Sequence, residues 1–298
     1  MAFFTVRVKS QESGYLSYPD NCCLSFDGID DYVYCGVSQV FRPENITVEA
    51  WIKPKYNIML GSDALYGHQW AVVIACQVYT SSYVTTGGWW LQFDYANGPL
   101  YFCWRYDSFY VWDSLSYPTN KAVWYNTSWY HIAVTFNPTL PSDNLKFYVN
   151  GTFDSQHMDS HAIRYGGTIP FHIGGSGGNN YTGLVDEVRI WNISRIASDI
   201  QDTMPRILNT TEIANPNLVG YWRFDEGTGT ISNDYSLQDN DAVLAPSPAT
   251  PQWYEPGAPI IIPEFLAFSL IVSMIAISSF AAIILHIRKQ KRGFTFQR

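Results

Sequence analysis

Charge is scarce in this chain of 298 residues: Asp, Glu, Lys and Arg make up 15% of it, against 16% for Phe, Trp and Tyr. Basic residues are the scarcer kind, and they are placed unevenly. Of 18 Lys and Arg, five (Arg288, Lys289, Lys291, Arg292 and Arg298) follow the last acid, Glu264, so residues 1–264 carry 13 bases against 26 acids, a formal charge of −13. A body that acidic repels a phosphate backbone, which argues against nucleic acid as a partner. No Glu-x-Asp-x-Glu triplet occurs, and no Ser-His-Asp or zinc-ligand spacing is recognisable. A retaining glycosidase needs two carboxylates about 5 Å apart flanking the scissile bond, so an enzyme is not expected. The opening, Met1–Ser17, also lacks the apolar stretch of roughly 7–15 residues that a secretory leader carries. Export would then need a start further upstream, and truncation at this end is the expectation.

Cysteines are few and odd in number: Cys22, Cys23, Cys35, Cys76 and Cys103. An oxidising compartment permits disulfides, and a bridge from Cys22 or Cys23 to Cys35 would clip the acidic stretch between them. Buried free thiols are the alternative reading.

Apolar runs are plentiful. Phe265–Ile287 is 23 residues without Lys, Arg, Asp or Glu, about 34 Å as a helix against a hydrocarbon core of roughly 30 Å. The basic cluster after it places the tail, 288–298, in the cytoplasm and everything before the span outside a cell membrane crossed once. Pro246, Pro248, Pro251, Pro256, Pro259 and Pro263 make 246–264 proline-rich, so a semi-rigid spacer is expected there. Between a short N-terminal segment, 1–17, and that spacer, residues 18–245 read as one β-rich domain.

Within the domain, apolar alternation marks strands. Ile46, Val48, Ala50 and Ile52 alternate with Thr47, Glu49 and Trp51; Tyr130, Ile132, Val134 and Phe136 alternate with Trp129, His131, Ala133 and Thr135. Further strands are expected over Trp70–Tyr79, Trp89–Tyr95, Leu100–Tyr106, Leu145–Val149, Pro170–Gly175 and Leu218–Phe224, with Asn150-Gly151 as a hairpin turn. Ser198 to Gln201 has the spacing of a capping box, predicting a short helix toward Met204. Residues 218–253 are too few for a second sandwich, so they should dock onto the first.

Gly183–Trp191 (Gly-Leu-Val-Asp-Glu-Val-Arg-Ile-Trp) is an acidic pair inside an apolar strand. Strict alternation would place Asp186 with Leu184, Val188 and Ile190 on the apolar face. A carboxylate there needs a partner. Asp27, Asp30 and Asp31 lie in another acid-rich turn, and carboxylates meeting at one point repel unless a hard cation holds them, for which calcium is the simplest choice.

Leu24–Val33, Thr47–Lys53, Trp129–Thr135, Leu145–Gly151 and Gly183–Trp191 occur in the order seen in laminin-G-like jelly-roll domains, and the chain resembles that group over residues 20–255. The group belongs to the concanavalin A-like lectin and glucanase superfamily. The resemblance implies an all-β, two-sheet antiparallel jelly-roll sandwich, here followed by one transmembrane helix. It also implies a structural calcium ion held by the Asp186 side chain, by a carbonyl or carboxylate of Asp27 and Gly28, and by Asp30. By the same resemblance a helix follows the acidic strand, and His131 is a hydrogen-bonded structural residue of a sheet. Pro263-Glu264-Phe265 before the span resembles the surface-sorting signal of archaeal exported proteins, in which a membrane protease removes the tail; retention as an anchor is the alternative.

Glu49 and Glu187, the latter beside Arg189, read as structural ion-pair partners. Among the tryptophans, Trp112 and Trp124 lie in a polar stretch and are expected to be exposed, as ring faces for a sugar. Six sequons, at Asn45, Asn126, Asn150, Asn180, Asn192 and Asn209, accord with an exported glycoprotein. The function these readings imply is a non-catalytic, membrane-anchored extracellular module that binds a glycan or a cell-surface protein.

Overall fold

The computed structural model describes residues 21–260 apart from 63–66, 68, 78–86, 107–113 and 176–177. In chain order the described strands are β1 (Cys23–Asp27), β2 (Val33–Tyr34), β3 (Ile46–Pro54), β4 (Trp70–Gln77), β5 (Gly88–Asp94), β6 (Leu100–Arg105), β7 (Ser114–Pro118) and β8 (Tyr130–Phe136). They continue with β9 (Leu145–Val149), β10 (Thr152–His157), β11 (Phe171–Ile173), β12 (Thr182–Trp191), β13 (Leu218–Trp222), β14 (Ile231–Ser232), β15 (Ala242–Leu244) and β16 (Gln252–Tyr254). Two short helices, α1 (Ala197–Thr203) and α2 (Thr210–Ile213), lie between β12 and β13.

The strands form two antiparallel sheets. One has the order β10-β9-β8-β3-β12-β1-β16, with β13 also on β12; the other runs β14-β15-β2-β11-β4-β5-β6-β7. Both sheets turn one face to a shared core, and the expected alternation decides which residues enter it. Ile46, Val48, Ala50 and Ile52 of β3 and Tyr130, Ile132, Val134 and Phe136 of β8 are all in that core. Aromatic rings bridge the layers: Trp104 of β6 lies 4.7 Å from Phe136 of β8, and Phe171 of β11 lies 5.4 Å from Trp222 of β13. At such separations aromatic pairs contribute beyond their buried area. The turn at Asn150-Gly151 has positive φ at both residues, 52° and 69°, as a two-residue hairpin of the primed type requires. Residues 218–254 dock as expected, giving β13 and β16 to the first sheet and β14 and β15 to the second.

Several expectations are corrected. The core takes Val185, Val188 and Ile190 from β12, a spacing of three and then two. A β-bulge between Asp186 and Arg189, with Glu187 at φ 50°, inserts the extra residue. This phase slip turns Asp186 away from the face that Val188 and Ile190 share. The bulge falls where the partner along that edge of β12 changes, from β1 (to Val185) to β13 (from Val188). The α1 helix starts after Ile196 with no side-chain cap, and the capping box forms instead at Asn209 and Glu212 on α2.

The proline-rich stretch is not a free spacer through residue 260. Gln252–Tyr254 pairs with β1, Gly257 N–H donates to the Asn21 carbonyl at 2.6 Å, and Ala258 is buried. No disulfide joins Cys22 or Cys23 to Cys35; all five cysteines are buried and outside any disulfide. Cys35 faces the core while the Cys23 thiol turns toward the Tyr254 carbonyl at 3.5 Å, so the sulfurs point to different layers. Among the described residues no helix is long and apolar enough to cross a membrane. The span expected over Phe265–Ile287, the tail, Met1–Ser17 and Trp112 lie outside the described residues.

Candidate functional site

At the end of β1 the chain reverses through Asp27-Gly28-Ile29-Asp30-Asp31. The turn is built by its own carboxylates: Asp27 Oδ1 accepts from Ile29 N–H at 2.8 Å, and Asp31 Oδ2 accepts from Asp27 N–H at 2.8 Å. Gly28 sits at φ 85°, and a Cβ there would lie 1.8 Å from Thr182 Oγ1, so only glycine fits against β12. Asp27, Asp30 and Asp31 each bring an oxygen within 4.8 Å of the others. Burial, together with the charges of Asp27 and Asp30, pushes the Asp31 carboxyl up to about 6.

Beside this turn lies a groove with a cavity volume of about 320 Å³. Its floor is one row across four strands, fixed by register: Gln252 (β16) opposite Ser25 (β1), Ser25 opposite Leu184 (β12), and Leu184 opposite Lys53 (β3). Three strand spacings make that row about 14 Å wide. Leu24, Phe26 and Ile52 point to the core, so Ser25 and Lys53, one residue along, face outward. Asp27 and Asp31 close one end, Lys55 and Asn126 form the lip, and Tyr254, 49% exposed, offers a ring at the β16 side. The groove therefore combines acids, amides, two lysines and an aromatic ring.

The residues expected to act together are only partly brought together. Asp186 is not part of the acidic turn. Thr182 is the residue opposite Asp27, and Asp186 is four residues further along β12, about 13 Å away at strand rise. Its carboxylate, fully buried, is occupied by backbone: Oδ1 accepts from Glu187 N–H at 2.8 Å and Oδ2 from Ala258 N–H at 2.7 Å. Burial and the neighbouring Glu187 push its pKa well up. It spans the bulge and ties down the segment after β16.

Trp124 is not exposed either. The loop carrying it is hooked to residue 58 by a backbone bridge, the ring stands edge-on to Phe93 and Tyr130, and Nε1 donates to the Gly98 carbonyl at 3.0 Å. A polar stretch in sequence thus delivers a fully buried ring.

The remaining strand acids are structural. Glu49 is buried against the Arg195 guanidinium, with His131 Nε2 at 3.5 Å. Burial alone would raise Glu49, but His131 and Arg195 hold it down to about 2. His131 lies in the sheet as expected and is buried, but the expected side-chain hydrogen bond is not formed, since 3.5 Å is long for one. Glu187 Oε2 accepts from Arg189 Nη2 and from Tyr221 O–H, both at 2.6 Å, and Arg189 Nη1 donates to the Thr203 carbonyl at 2.8 Å. This ionic layer pins α1 to the outer face of the first sheet.

A family model, Laminin_G_3 of the concanavalin A-like lectin/glucanases superfamily, matches residues 27–201. The chain belongs to that superfamily. Among solved structures this superfamily member is similar to a Bacteroides ovatus ATCC 8483 protein proposed to bind carbohydrate, at 17% identity and a TM-score of 0.54. The match covers 81% of the present chain and 61% of the other, so the chain spans somewhat under two thirds of that protein's length. It is also similar to a heptameric SAP-like pentraxin from Limulus polyphemus (13% identity, TM-score 0.42, covering 62% of this chain and 82% of that one). Domains LG4-5 of the mouse laminin alpha1 chain give 9% identity and a TM-score of 0.40, covering 63% and 46%. No match is found among curated proteins. At these identities the likeness shows the fold. The matched family segment contains β3, all of β12 and the acidic turn, whereas Gln252 and Tyr254 lie beyond it.

β16 was missed in sequence because Gln-Trp-Tyr sits among prolines. The one signal available was Gln252, Trp253 and Tyr254 as a polar and aromatic run between Pro251 and Pro256.

Proposed function

We propose that this superfamily member is a non-catalytic extracellular binding module that takes a glycan in the groove between the acidic turn and β16. The observation that carries the reading is the row Gln252, Ser25, Leu184 and Lys53, an outward shelf with hydrogen-bonding groups, flanked by the exposed Tyr254 ring. Sugar sites combine such rings with a small number of placed polar groups. The likeness to a protein proposed to bind carbohydrate is in keeping with this.

Catalysis is disfavoured on geometry. A glycosidase acid pair flanks the bond it cleaves, whereas Asp27 and Asp31 share one turn and are hydrogen-bonded to its amides. Glu49 and Glu187 are closed off in buried ion pairs.

The donor set of the turn suits a hard cation: three carboxylates converge, and calcium takes six to eight oxygens, carboxylates and carbonyls among them. In this reading Asp27, Asp30 and Asp31 would hold a calcium ion, which neutralises their mutual repulsion and fixes the end of the groove. The acidic body, the apolar run Phe265–Ile287 and the basic tail support anchoring in a cell membrane with the sandwich outside. Pro263-Glu264-Phe265 supports a sorting signal at that anchor. A glycan array probed with the chain through residue 260, with calcium and with chelator, tests the reading. Binding to a defined sugar that weakens when Tyr254→Ala is introduced is expected. A folded domain that binds no sugar in either condition would move the assignment to a protein partner.

A further inference from the structure

The six sequons are indistinguishable in sequence, and the fold separates them. Asn126, Asn150, Asn192 and Asn209 are exposed. Asn150 Oδ1 accepts from His131 N–H at 2.9 Å, and Asn209 Oδ1 accepts from Thr211 N–H and Glu212 N–H at 2.9 and 3.1 Å. In both, the oxygen is engaged inward and the amide nitrogen is the end that points away. Asn126 is different in a useful way: it stands on the groove lip, with Nδ2 3.3 Å from the Lys55 carbonyl. A carboxamide has two N–H groups, so substitution of one still leaves a donor for that contact.

Asn180 is the opposite case. It is 5% exposed, Nδ2 donates to the Ile29 carbonyl, and Oδ1 lies against Gly175, where a Cβ would come within 2.1 Å of it. Both ends of that amide are enclosed, so a bulky, surface-seeking glycan there is incompatible with the folded turn.

We propose that Asn126 is an N-glycan acceptor whose oligosaccharide screens the groove, with Asn150, Asn192 and Asn209 as further acceptors and Asn180 excluded. The donor is a lipid-diphosphate-linked oligosaccharide. The amide nitrogen forms a C–N bond to the anomeric carbon, the anomeric C–O bond breaks with its electron pair leaving on the diphosphate, and one amide proton is lost. A chain rooted on the lip beside Lys55 limits access to Lys53 and Tyr254. Glycan occupancy at Asn126 is then a control on what the module can bind. This inference rests on the exported, groove-bearing reading above.

The full chain is directed into the secretory pathway of a eukaryotic host by an appended cleavable leader, and the purified protein is analysed by glycopeptide mass spectrometry. Ser128→Ala removes the Asn126-Thr127-Ser128 sequon while leaving Asn126 in place. Glycan at Asn126, Asn150, Asn192 and Asn209 and none at Asn180 is expected. Acylation of Lys53 by a succinimidyl ester should run at least threefold faster in Ser128→Ala than in the parent, with Lys146 on β9 as the unchanged reference. An unoccupied Asn126 on a chain glycosylated elsewhere, a folded protein carrying glycan at Asn180, or equal Lys53 rates would each overturn the proposal. Because occupancy and labelling are read without any ligand, a Ser128→Ala protein that passes both yet binds no sugar would sink only the glycan-binding reading.

Discussion

Asp186 was expected to hold a metal, and the structure makes it a clamp for two backbone amides, a difference that one substitution resolves. In Asp186→Ala the N–H groups of Glu187 and Ala258 lose their acceptor inside the protein. An unsatisfied buried donor costs about 1–3 kcal/mol, so the pair sums to roughly 2–6 kcal/mol. Removing a buried carboxyl whose pKa burial already pushes well up returns part of this, and we expect a net loss of about 2–4 kcal/mol. For a domain of this size that lowers Tm by roughly 4–16 °C. Urea denaturation measures the loss, and amide hydrogen exchange at Ala258 locates it, since the segment after β16 should open first. The calcium response provides the discriminating readout. Calcium should raise the Tm of Asp186→Ala by as much as it raises the parent's, whereas Asp30→Asn should lose that rise while keeping its stability in chelator. If Asp186→Ala abolished the calcium response with the turn intact, or cost less than about 0.5 kcal/mol, the clamp argument would be wrong.

Three further outcomes are expected. Trp124→Ala should cost about 3–5 kcal/mol, as large buried aromatics do, and near-ultraviolet circular dichroism should show lost packing; a purely ligand-stacking ring would leave stability untouched. Gly28→Ala should destabilise the turn by about 1–2 kcal/mol from its positive φ alone, and more from the contact with Thr182, with the second part relieved by adding Thr182→Ala in a double-mutant cycle. Asp225 gives a pH signature: burial, outweighing its ion pair with Arg223, pushes its pKa from 3.8 up to about 7. A raised carboxyl stabilises the fold fully below its unfolded pKa, and that contribution is lost as pH rises from about 4 through about 7. Urea midpoints in chelator should therefore fall across that window, and fall less in Asp225→Asn.

Local pattern determined much of this protein without help from tertiary structure. Strand alternation in Ile46–Ile52 and Tyr130–Phe136 named the core faces correctly, because a period of two leaves one face apolar whatever the partner strands are. Asn150-Gly151 fixed its hairpin because few residue pairs accept positive φ twice. The acidic turn was legible too, since Asp27, Asp30 and Asp31 are neighbours in sequence and the glycine between them had to be a glycine. Tertiary structure decided the rest. The bulge after Asp186 changes the phase of β12, and nothing in Val-Asp-Glu-Val reports an inserted residue; it arises where β1 ends and β13 begins along the same edge. Trp124 is drawn inward by a bridge to residue 58, which is distant in the chain. The groove floor joins residue 252 to residues 25, 184 and 53, a row defined by register between strands that no local pattern encodes. Six equivalent sequons became four exposed amides, a half-buried one at Asn45 and a sealed one at Asn180 for the same reason: exposure belongs to the packed molecule, and sequence carries it only where burial follows a short period.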